Sequence, residues 1–517
     1  MSPIQGRQRI NAYNVFILLF VGLGSVTYGY TASIIGTTLG QPSFIEYFEL
    51  DHRRKNSTDL IATTNGLFQA GGVIGTLLLP NISDRYGRKW GIAIAAILAI
   101  ISGAVLAGST HIAEFIFFRF IAGAAAFMAL AAIPIWMNEV VPVKMRAGLV
   151  DIHAVFLVLG YTVQGWVGFG FYFWTSGQNS WRPPLALQCA WPLLLLAGLY
   201  WIPESPRWLI MKDRVDEART ILNRLHSDPS DPNNDYASTE FYQIQKQIII
   251  DRTLGSSWVT MFRKPSYRKR AFLAIGTTFF IQCSGVLVIN NYGPTLYKTL
   301  GFSPVKQLLY PAAWLTLGLA TNAMAIPLVD RFPRNKYIAT GILTCMVCLV
   351  IEAALVANFV PSENSAALQA AVAMFFLFQL PYSFCLDGTQ FAYLGELFPT
   401  HLRAKGVSLG VAVISLTNIV WLQAAPVAFI NIGWKFYLVF IIPSAIGGVA
   451  MWFWFPDTNG LPLEEIAAIF GDEEEVAVYQ AEINIQDGRI TDLHTQLKGK
   501  DEVRTEDIGA GDATQKV

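Results

Sequence analysis

The chain contains twelve apolar runs, each about as long as a membrane-spanning helix. They begin near residues 13, 61, 90, 113, 148, 184, 271, 306, 337, 366, 405 and 436. A helix needs about 20 mainly apolar residues to cross the hydrocarbon core. Only 14% of the 517 residues are charged, against about 25% in soluble domains. The pattern therefore predicts an all-α membrane protein with twelve transmembrane helices.

The composition excludes several classes of function. The formal net charge is zero and no long basic stretch occurs, so nucleic acid is not an expected partner. All five cysteines lie inside apolar runs; Cys345 and Cys348 are spaced as CxxC but have no nearby His or basic residue. This setting favours packing over metal or redox chemistry. No nucleophile–base pair or phosphate-binding loop is apparent, so we expect no enzyme, cofactor or metal ion.

Charge in the connections predicts the orientation. Lys and Arg are modestly more frequent in the short connections after even-numbered spans. Because such loops stay on the cytoplasmic side, both termini and the long connection after the sixth span are predicted to be cytoplasmic, in a plasma-membrane protein. The sequence Asn56-Ser57-Thr58 then faces outward, which makes Asn56 a candidate N-glycosylation site.

Three short motifs occur twice. The pattern E-x-x-P-x-x-x-R-A begins at Glu139 and again at Glu396, 257 residues later. Asp84–Lys89 (DRYGRK) recurs in weaker form as Asp330–Lys336, and Pro203-Glu204-Ser205 is echoed by Pro456-Asp457-Thr458. Each pair follows the equivalent span of its half. The chain is therefore predicted to be two pseudo-symmetric six-helix halves, the plan of a transporter with a midplane site.

The repeats set the domain boundaries. We expect a cytoplasmic N-terminus at 1–12, an N-terminal half at 13–203, a linker at 204–270, a C-terminal half at 271–456 and a cytoplasmic tail at 457–517. Apolar residues at helical spacing predict linker helices over Arg214–Leu225 and Glu240–Leu254. Leu461–Phe470 predicts one short tail helix, and the polar sequence after 470 predicts a largely disordered tail.

The repeated charges form a candidate gate at the cytoplasmic ends of the spans. By the pseudo-symmetry, Glu139 is expected to face Arg403, and Glu396 to face Arg146. The alternative is that the charges only set topology, but topology requires positive charge and does not explain the acids. The candidate gate residues from these motifs are Asp84, Arg85, Arg88, Glu139, Arg146, Asp330, Arg331, Glu396 and Arg403.

These motifs, with Arg119, PESPR (Pro203–Arg207) and PDTNGLPLEEI (Pro456–Ile466), resemble the signature set of the sugar porter family, and in particular its fungal members. The likeness covers residues from about 13 to 470. It implies the major facilitator fold, a helical bundle from the linker, and transport of a sugar or polyol by alternating access. It also extends the candidate gate to Arg119, Glu204 and Arg207.

Departures from the family pattern fall on the expected solute site. The resemblance implies a proton-coupling acid in the first span, where this chain has Thr31. It implies sugar-binding amides or polar groups where this chain has Ala154, Leu287 and Ile414, and a tryptophan where it has Phe391. A buried hydroxyl without a partner costs about 1–3 kcal/mol. A standard hexose is therefore expected to bind poorly.

The remaining polar and aromatic residues of these spans are the candidate solute-binding set. They are Gln282, Asn290, Asn291, Tyr161, Gln164, Asp387, Gln390, Phe391 and Asn418. The alternative for each amide is hydrogen bonding between helices, which is common in membranes. Asp387 belongs to no repeated motif and lies nine residues before Glu396, or about 13 Å deeper along a helix.

Two questions stay open at this level. The missing acid at Thr31 favours a facilitator, whereas Asp387, Glu352, Asp151 and His153 leave a proton symporter open, with protons as a second partner. A carrier of a non-sugar metabolite and a nutrient sensor that binds solute without moving it are the alternative functions. A sensor is disfavoured because the gate motifs are intact and the tail is short.

Overall fold

The structure is a computed structural model of the 517-residue chain. It describes residues 11–50, 57–141, 146–174, 179–226, 231, 234–359, 365–461, 465–477, 483–486 and 489–492. Arg146 lies in a described helix, but its side chain is not described, and Asn56 lies outside the described residues. The predicted Glu396–Arg146 contact and the candidate glycosylation site are therefore not assessed.

Helices α1 to α8 form the N-terminal half. Their bounds are α1 Ala12–Leu39, α2 Pro42–Tyr47, α3 Ser57–Tyr86, α4 Arg88–Gly108, α5 Ile112–Val140, α6 Arg146–Tyr172, α7 Arg182–Leu187 and α8 Ala190–Gly198. Span 1 is α1, spans 2 to 5 are α3 to α6, and span 6 is α7 with α8. The short helix α2 lies in the connection after span 1.

The linker and the C-terminal half follow. The linker contains α9 Pro206–Met211, α10 Val215–Leu225, α11 Asp235–Asp251 and α12 Trp258–Arg263. The C-terminal half contains α13 Pro265–Gln282, α14 Val286–Thr299, α15 Pro304–Val329, α16 Arg334–Phe359, α17 Ser365–Cys385, α18 Thr389–Leu397, α19 Thr400–Asn431 and α20 Leu438–Trp454. Spans 7 and 10 each consist of two helices, α13 with α14 and α17 with α18.

Ten helical segments within the described residues are long and apolar enough to cross a membrane by length and composition. The other two spans fall short for local reasons. Helix α3 carries polar residues along its length, and span 6 is interrupted at Gln188-Cys189. Both pack with the ten others into the two predicted halves, so the all-α, twelve-helix prediction is confirmed.

Equivalent spans pack alike in the two halves. Helix α1 packs on α6 as α13 packs on α19, α3 on α5 as α15 on α17, and α4 on α8 as α16 on α20. The halves meet mainly where α3 lies against α19 and α6 against α15. Hydrogen bonds cross this boundary, for example from Ser415 Oγ to the Gln69 carbonyl at 2.9 Å. A pseudo-symmetric pair of bundles therefore encloses a central interface.

The linker helices pack at one end of the bundle, which we call the linker end; the opposite end is the far end. Asn14, at the start of α1, donates to the Leu225 carbonyl at 2.6 Å, which places the beginning of span 1 at the linker end. The predicted linker helices correspond to α10 and α11. Span 7 begins at Pro265, six residues before the predicted start at 271. The prediction placed the start too late because the first turns carry Arg268, Lys269 and Arg270 and therefore resemble the charged linker in sequence.

The tail differs from the prediction. The helix expected over Leu461–Phe470 is described only as α21, Ile466–Ile469, and residues 462–464 lie outside the described part of the chain. Residues 471–477 are not disordered: a 3-10 turn at Glu473–Glu475 packs on α11 and α13. Further along, β1 (Ile483–Gln486) and β2 (Arg489–Asp492) pair antiparallel. The position of residues 471–477 is explained by the ion pair of Asp472 with the buried Arg270.

Candidate functional site

Arg88 organises the repeated charges of the N-terminal half. Its side chain is buried, and its Nε and Nη2 donate to the two carboxylate oxygens of Glu139, both at 3.0 Å. Its Nη1 donates to Asp84 Oδ1 at 2.8 Å. A guanidinium is suited to such bidentate pairing because its N–H groups form a rigid fork. The first and second motifs therefore form one ion-pair cluster.

Arg334 has the same position in the C-terminal half. Its Nη2 donates to Asp330 Oδ1 at 2.9 Å, and its Nε lies 3.5 Å from Glu396 Oε2. Thr458 Oγ1 also donates to that Glu396 oxygen, at 2.6 Å. The described partners of Glu396 thus belong to its own half and to the tail that follows it. The internal repeat seen in the sequence is a repeat of side-chain geometry.

The third repeated motif, Pro203-Glu204-Ser205 with its counterpart Pro456-Asp457-Thr458, supplies one carboxylate to each cluster, and that carboxylate binds backbone N–H groups. Glu204 accepts from the backbone N–H groups of Arg88 and Lys89 at the start of α4, at 3.0 and 3.3 Å. Asp457 accepts from the Arg334 N–H at 2.9 Å. Burial raises the pKa of Glu204, although these N–H groups and Arg88 oppose the shift. Gly87 permits the turn between α3 and α4, with φ at +120°, and a Cβ there would lie 2.3 Å from Glu204 Oε2.

Two ion pairs join the halves at the linker end. Arg403 Nη1 of α19 lies 3.7 Å from Glu139 Oε1, which is the juxtaposition expected from the repeat. Lys405 Nζ of the same helix lies 3.0 Å from Asp84 Oδ2. These ion pairs hold the two halves together at the linker end. Separation of the halves there would break the Arg403–Glu139 and Lys405–Asp84 contacts.

Other predicted gate residues divide into two groups. Arg207 is buried, donates to the Glu139 carbonyl at 2.7 Å and lies 3.4 Å from Glu240, so it ties the linker to the cluster. Arg85 and Arg331 are exposed at the linker end and form no ion pair with another described residue. The motifs alone predicted the same gate role for all of these residues. In the structure, Arg207 is buried within the ion-pair cluster, whereas Arg85 and Arg331 are exposed.

Arg119 lies apart from the linker-end clusters. It is 1% exposed inside the N-terminal half, where its Nη1 donates to the Thr31 carbonyl at 3.1 Å and its guanidinium lies 4.2 Å from the ring centre of Phe68. Its Nε and Nη2 have no hydrogen-bond partner among the described residues. A cation is thus buried beside the position where the family resemblance implies an acid.

A cavity of about 530 Å³ lies between the two halves. One part of its wall is apolar, and includes Leu287, Trp314, Phe391 and Ile414. The other part is polar, with side chains contributed by α1, α6, span 7 and span 10. These polar residues are Tyr28, Tyr161, Gln282, Asn290, Gln379, Tyr382, Asp387 and Gln390. A mixed apolar and polar lining of this kind is typical of small-molecule sites.

Three glutamines that line this cavity have side-chain oxygens that accept no hydrogen bond from the described residues. Gln282, Gln379 and Gln390 are each at least 96% buried, and the side-chain oxygen of each has no partner among the described residues. Buried polar groups are normally hydrogen-bonded. Their convergence on one cavity indicates that the missing partner is a bound solute or water rather than another part of the fold.

A second cavity continues toward the far end. It has a volume of about 510 Å³ and shares Asn290, Trp314 and Leu315 with the central one. Gln164 lines it, accepts from Ser33 Oγ at 3.0 Å and also hydrogen-bonds Thr37. The two adjacent cavities together extend from the middle of the protein toward the far end.

Most of the predicted solute-binding residues meet at these cavities. Asn291 lines a smaller adjoining cavity, but its Nδ2 donates back to the Leu287 carbonyl at 3.0 Å. Asn418 is the exception: it is buried in α19 and lines none of the three cavities. A single residue within an apolar helix does not reveal which face it occupies, so a role of Asn418 in solute binding stays a prediction.

Sequence reasoning missed Gln379, Tyr382, Tyr28 and Trp314. Gln379 was recoverable, because an amide inside an apolar span is itself a signal for function. The aromatic residues were not, since tyrosine and tryptophan are also common where a helix meets the membrane interface. Lys405, two residues after Arg403, was also missed, although it forms an ion pair between the halves.

Comparison with known proteins agrees with this architecture. The family model described as "Sugar (and other) transporter" matches residues 17–470. The MFS-type transporter criB of Aspergillus cristatus is 29% identical, covering 89% of this chain and 93% of its own length. The high-affinity glucose transporter of Kluyveromyces lactis is 26% identical, covering 89% and 86%. The proton:xylose symporter XylE of E. coli, solved with a bromodeoxyglucose, has a TM-score of 0.78 at 24% identity, covering 89% and 99%.

The chain has the fold of the solved major facilitator structures, and the central cavity and the linker-end ion pairs lie where its two halves meet. The chain belongs to the Sugar (and other) transporter family, whose model covers most of its length. The family resemblance inferred from the motifs is thereby confirmed. The protein is a transporter and not an enzyme.

Proposed function

We propose that this protein moves a neutral, polyhydroxylated solute, a sugar or a sugar-like polyol, across the membrane by alternating access. The observation that carries the proposal is the set of three buried glutamines with unused hydrogen-bonding capacity around the central cavity. A solute rich in hydroxyl groups supplies the partners that these amides lack. Asp387 adds a further acceptor to the same wall.

The apolar part of the cavity wall limits which solutes can bind. Leu287, Phe391 and Ile414 line the cavity at positions where the family resemblance implies polar or indole groups. A hexose, with hydroxyls all around its ring, would leave some of them unpaired against this wall, at about 1–3 kcal/mol each. A solute with one polar and one less polar face fits better. Carriage of a non-sugar metabolite is the second candidate, and the same apolar wall supports it.

The orientation is part of the proposal. The linker end carries Arg85, Lys89, Arg331 and Lys336, and we place it on the cytoplasmic side because basic connections favour that side. Both termini are then cytoplasmic, and the cavities open to the outside of the plasma membrane while the linker-end ion pairs are formed. A shift in electrophoretic mobility on deglycosylation, lost in Asn56→Gln, would support this orientation.

Flux through purified protein in proteoliposomes tests the function. Radiolabelled glucose, xylose, sorbitol and maltose form the panel. Uptake of at least one solute is expected, with a large loss in Gln282→Ala. Gln188→Ala is the matched control, since Gln188 is a fully buried glutamine that lies outside the central cavity. Specific binding without flux would instead identify a sensor, and absence of both for every carbohydrate and polyol would refute a sugar-like solute.

A further inference from the structure

Asp387 has an environment that the proposed solute site does not explain. It lies in the break between α17 and α18, lines the central cavity and is 7% exposed. Its Oδ2 accepts from the neutral amide of Asn322 at 3.0 Å. No Lys, Arg or His of the described chain forms an ion pair with it. A carboxylate in the membrane normally faces a cation or a water-filled path.

A second carboxyl group lies directly behind it, in the other half. Asp151 of α6 is 3% exposed and packs so closely on Gly388 that a Cβ at that position would lie 1.3 Å from Asp151 Oδ1. Gly388 follows Asp387 in the chain, and Asp151 interacts electrostatically with Asp387. The Asp151 carboxyl group therefore lies beside the residue that follows Asp387, across the boundary between the halves.

The path continues to the linker end. Asp151 lies five residues from the start of α6, about 7.5 Å along the helix. On this side it interacts with Asp330 and Arg334. The Asp330 side chain is 28% exposed. Asp387, Asp151 and Asp330 thus lead stepwise from the wall of the solute cavity to solvent at the linker end.

The other ionisable groups around Asp387 have different roles. Tyr28, Tyr161 and Tyr382 face it from α1, α6 and α17 and line the cavity with it. His153 of α6 is engaged through Nδ1 with Ser25 Oγ at 2.6 Å and packs edge-on against Phe391. Arg334 is paired with Asp330 and Glu396. Gln390, beside Asp387, directs a buried unpartnered oxygen into the same cavity.

We propose that Asp387 is the proton-binding residue of the transport cycle and that Asp151 relays its proton to the linker end. This rests on the proposed transport function. Two carboxylates brought together away from water cannot both remain ionised. Closing the linker end brings Asp151 of one half against the Asp387 region of the other, so closure favours uptake of one proton from the far side. Opening separates the halves and favours its release.

The proposed proton transfer conserves both atoms and charge. One proton from far-side water forms an O–H bond with the Asp387 carboxylate; that bond breaks as the proton passes to the Asp151 carboxylate, which then gives it to water at the linker end. No electron transfer or further co-reactant is needed. One proton moves with the solute in each cycle, which makes the protein a symporter without the first-span acid.

Uptake driven by an imposed proton gradient is the first test. With a solute of the panel that exchanges in proteoliposomes, the unchanged protein should accumulate it when the outside is acidic. Asp151→Asn should lose accumulation but retain counterflow, the exchange of labelled for unlabelled solute, because Asp151 does not line the central cavity. Asp387→Asn should also lose accumulation. Glu352→Gln is the matched control, because Glu352 is also a buried acid but does not line the central cavity. It should accumulate solute like the unchanged protein.

The outcomes separate the two proposals. Counterflow with no response to the gradient, or full accumulation by Asp387→Asn, overturns the proton role and leaves transport standing. Absence of flux and exchange for every solute overturns the transport function instead.

Infrared spectroscopy tests the carboxyl pair without any solute. In the purified protein, titration should change a carbonyl band of a protonated carboxyl group, and Asp387→Asn and Asp151→Asn should each alter that change. Glu352→Gln should leave it in place. A titration spectrum that is the same in both aspartate variants as in the unchanged protein contradicts the proposal.

Discussion

At the scale of single residues, the guanidinium of Arg119 is the clearest departure from ordinary protein chemistry. It is buried, and its only acceptor among the described residues is the Thr31 carbonyl. Thr31 Oγ1 has no hydrogen-bond partner within that part of the chain. Thr31→Asp should therefore place a carboxylate against an unpaired cation and stabilise the protein. Hydrogen bonds to charged groups contribute about 1.5–3 kcal/mol, and the expected readout is a higher melting temperature in detergent.

Thr31→Asn is the control for this substitution, because it has nearly the same shape without the charge. If the asparagine variant melts as high as the aspartate variant, or if both melt below the unchanged protein, Arg119 does not need an anionic partner. The same pair of variants also asks whether a first-span acid alters the proton dependence assigned above to Asp387.

At the scale of elements, the segment after α21 fastens the tail to span 7. Asp472 accepts from Arg270, which is fully buried, at 3.0 Å and lies 2.9 Å from Lys264. Glu475 accepts from the Tyr267 hydroxyl at 2.9 Å and also pairs with Lys264. The basic first turns of α13 thus find their partners about 200 residues later in the chain.

Removal of this segment should destabilise the transporter. Truncation after residue 470 leaves Arg270 buried without Asp472, and loss of one partner of a buried pair costs about 3–5 kcal/mol. Truncation after residue 480 retains Asp472 and Glu475 and should leave the melting temperature almost unchanged. Thermal unfolding of the two truncated proteins in detergent makes the comparison. Equal melting temperatures would mean that the tail contacts contribute little.

At the scale of the whole molecule, the ion pairs between the halves set how readily the linker end opens. The Asp84–Lys405 pair is partly exposed, and such a pair contributes up to about 1 kcal/mol. Lys405→Gln should therefore increase the population open at the linker end by up to roughly fivefold. Spin labels at Arg85 and Lys336, both exposed at this end in opposite halves, should report a larger share of long distances.

Arg331→Gln provides the comparison for the open population. Arg331 is basic, exposed and at the same end, but it forms no ion pair within the described part of the chain. Its distance distribution should match that of the parent labelled protein. A similar shift in both variants would show that net charge, and not the specific contact with Asp84, controls opening.

Much of the architecture follows from local sequence. The length of an apolar run decides whether it can cross a bilayer, and burial of backbone polar groups in lipid requires that it be helical. Repetition of the motifs at Glu139 and Glu396 required two similar halves. Because these constraints involve only residues close in the chain, or a comparison of two such stretches, they could be read without knowledge of contacts. The fold and the family therefore followed from the sequence alone.

Only the tertiary structure decided which side chains meet. It paired Glu396 with Arg334 of its own half, gave Lys405 a partner in Asp84, brought Gln379 into the cavity and left Asn418 out of it. It also placed Asp151 behind Asp387, although the two are 236 residues apart. Such contacts depend on the rotation of each helix about its axis and on packing between halves. Neither is encoded within a single apolar span, so the sequence determined the kind of molecule and the tertiary structure determined the chemistry at its centre.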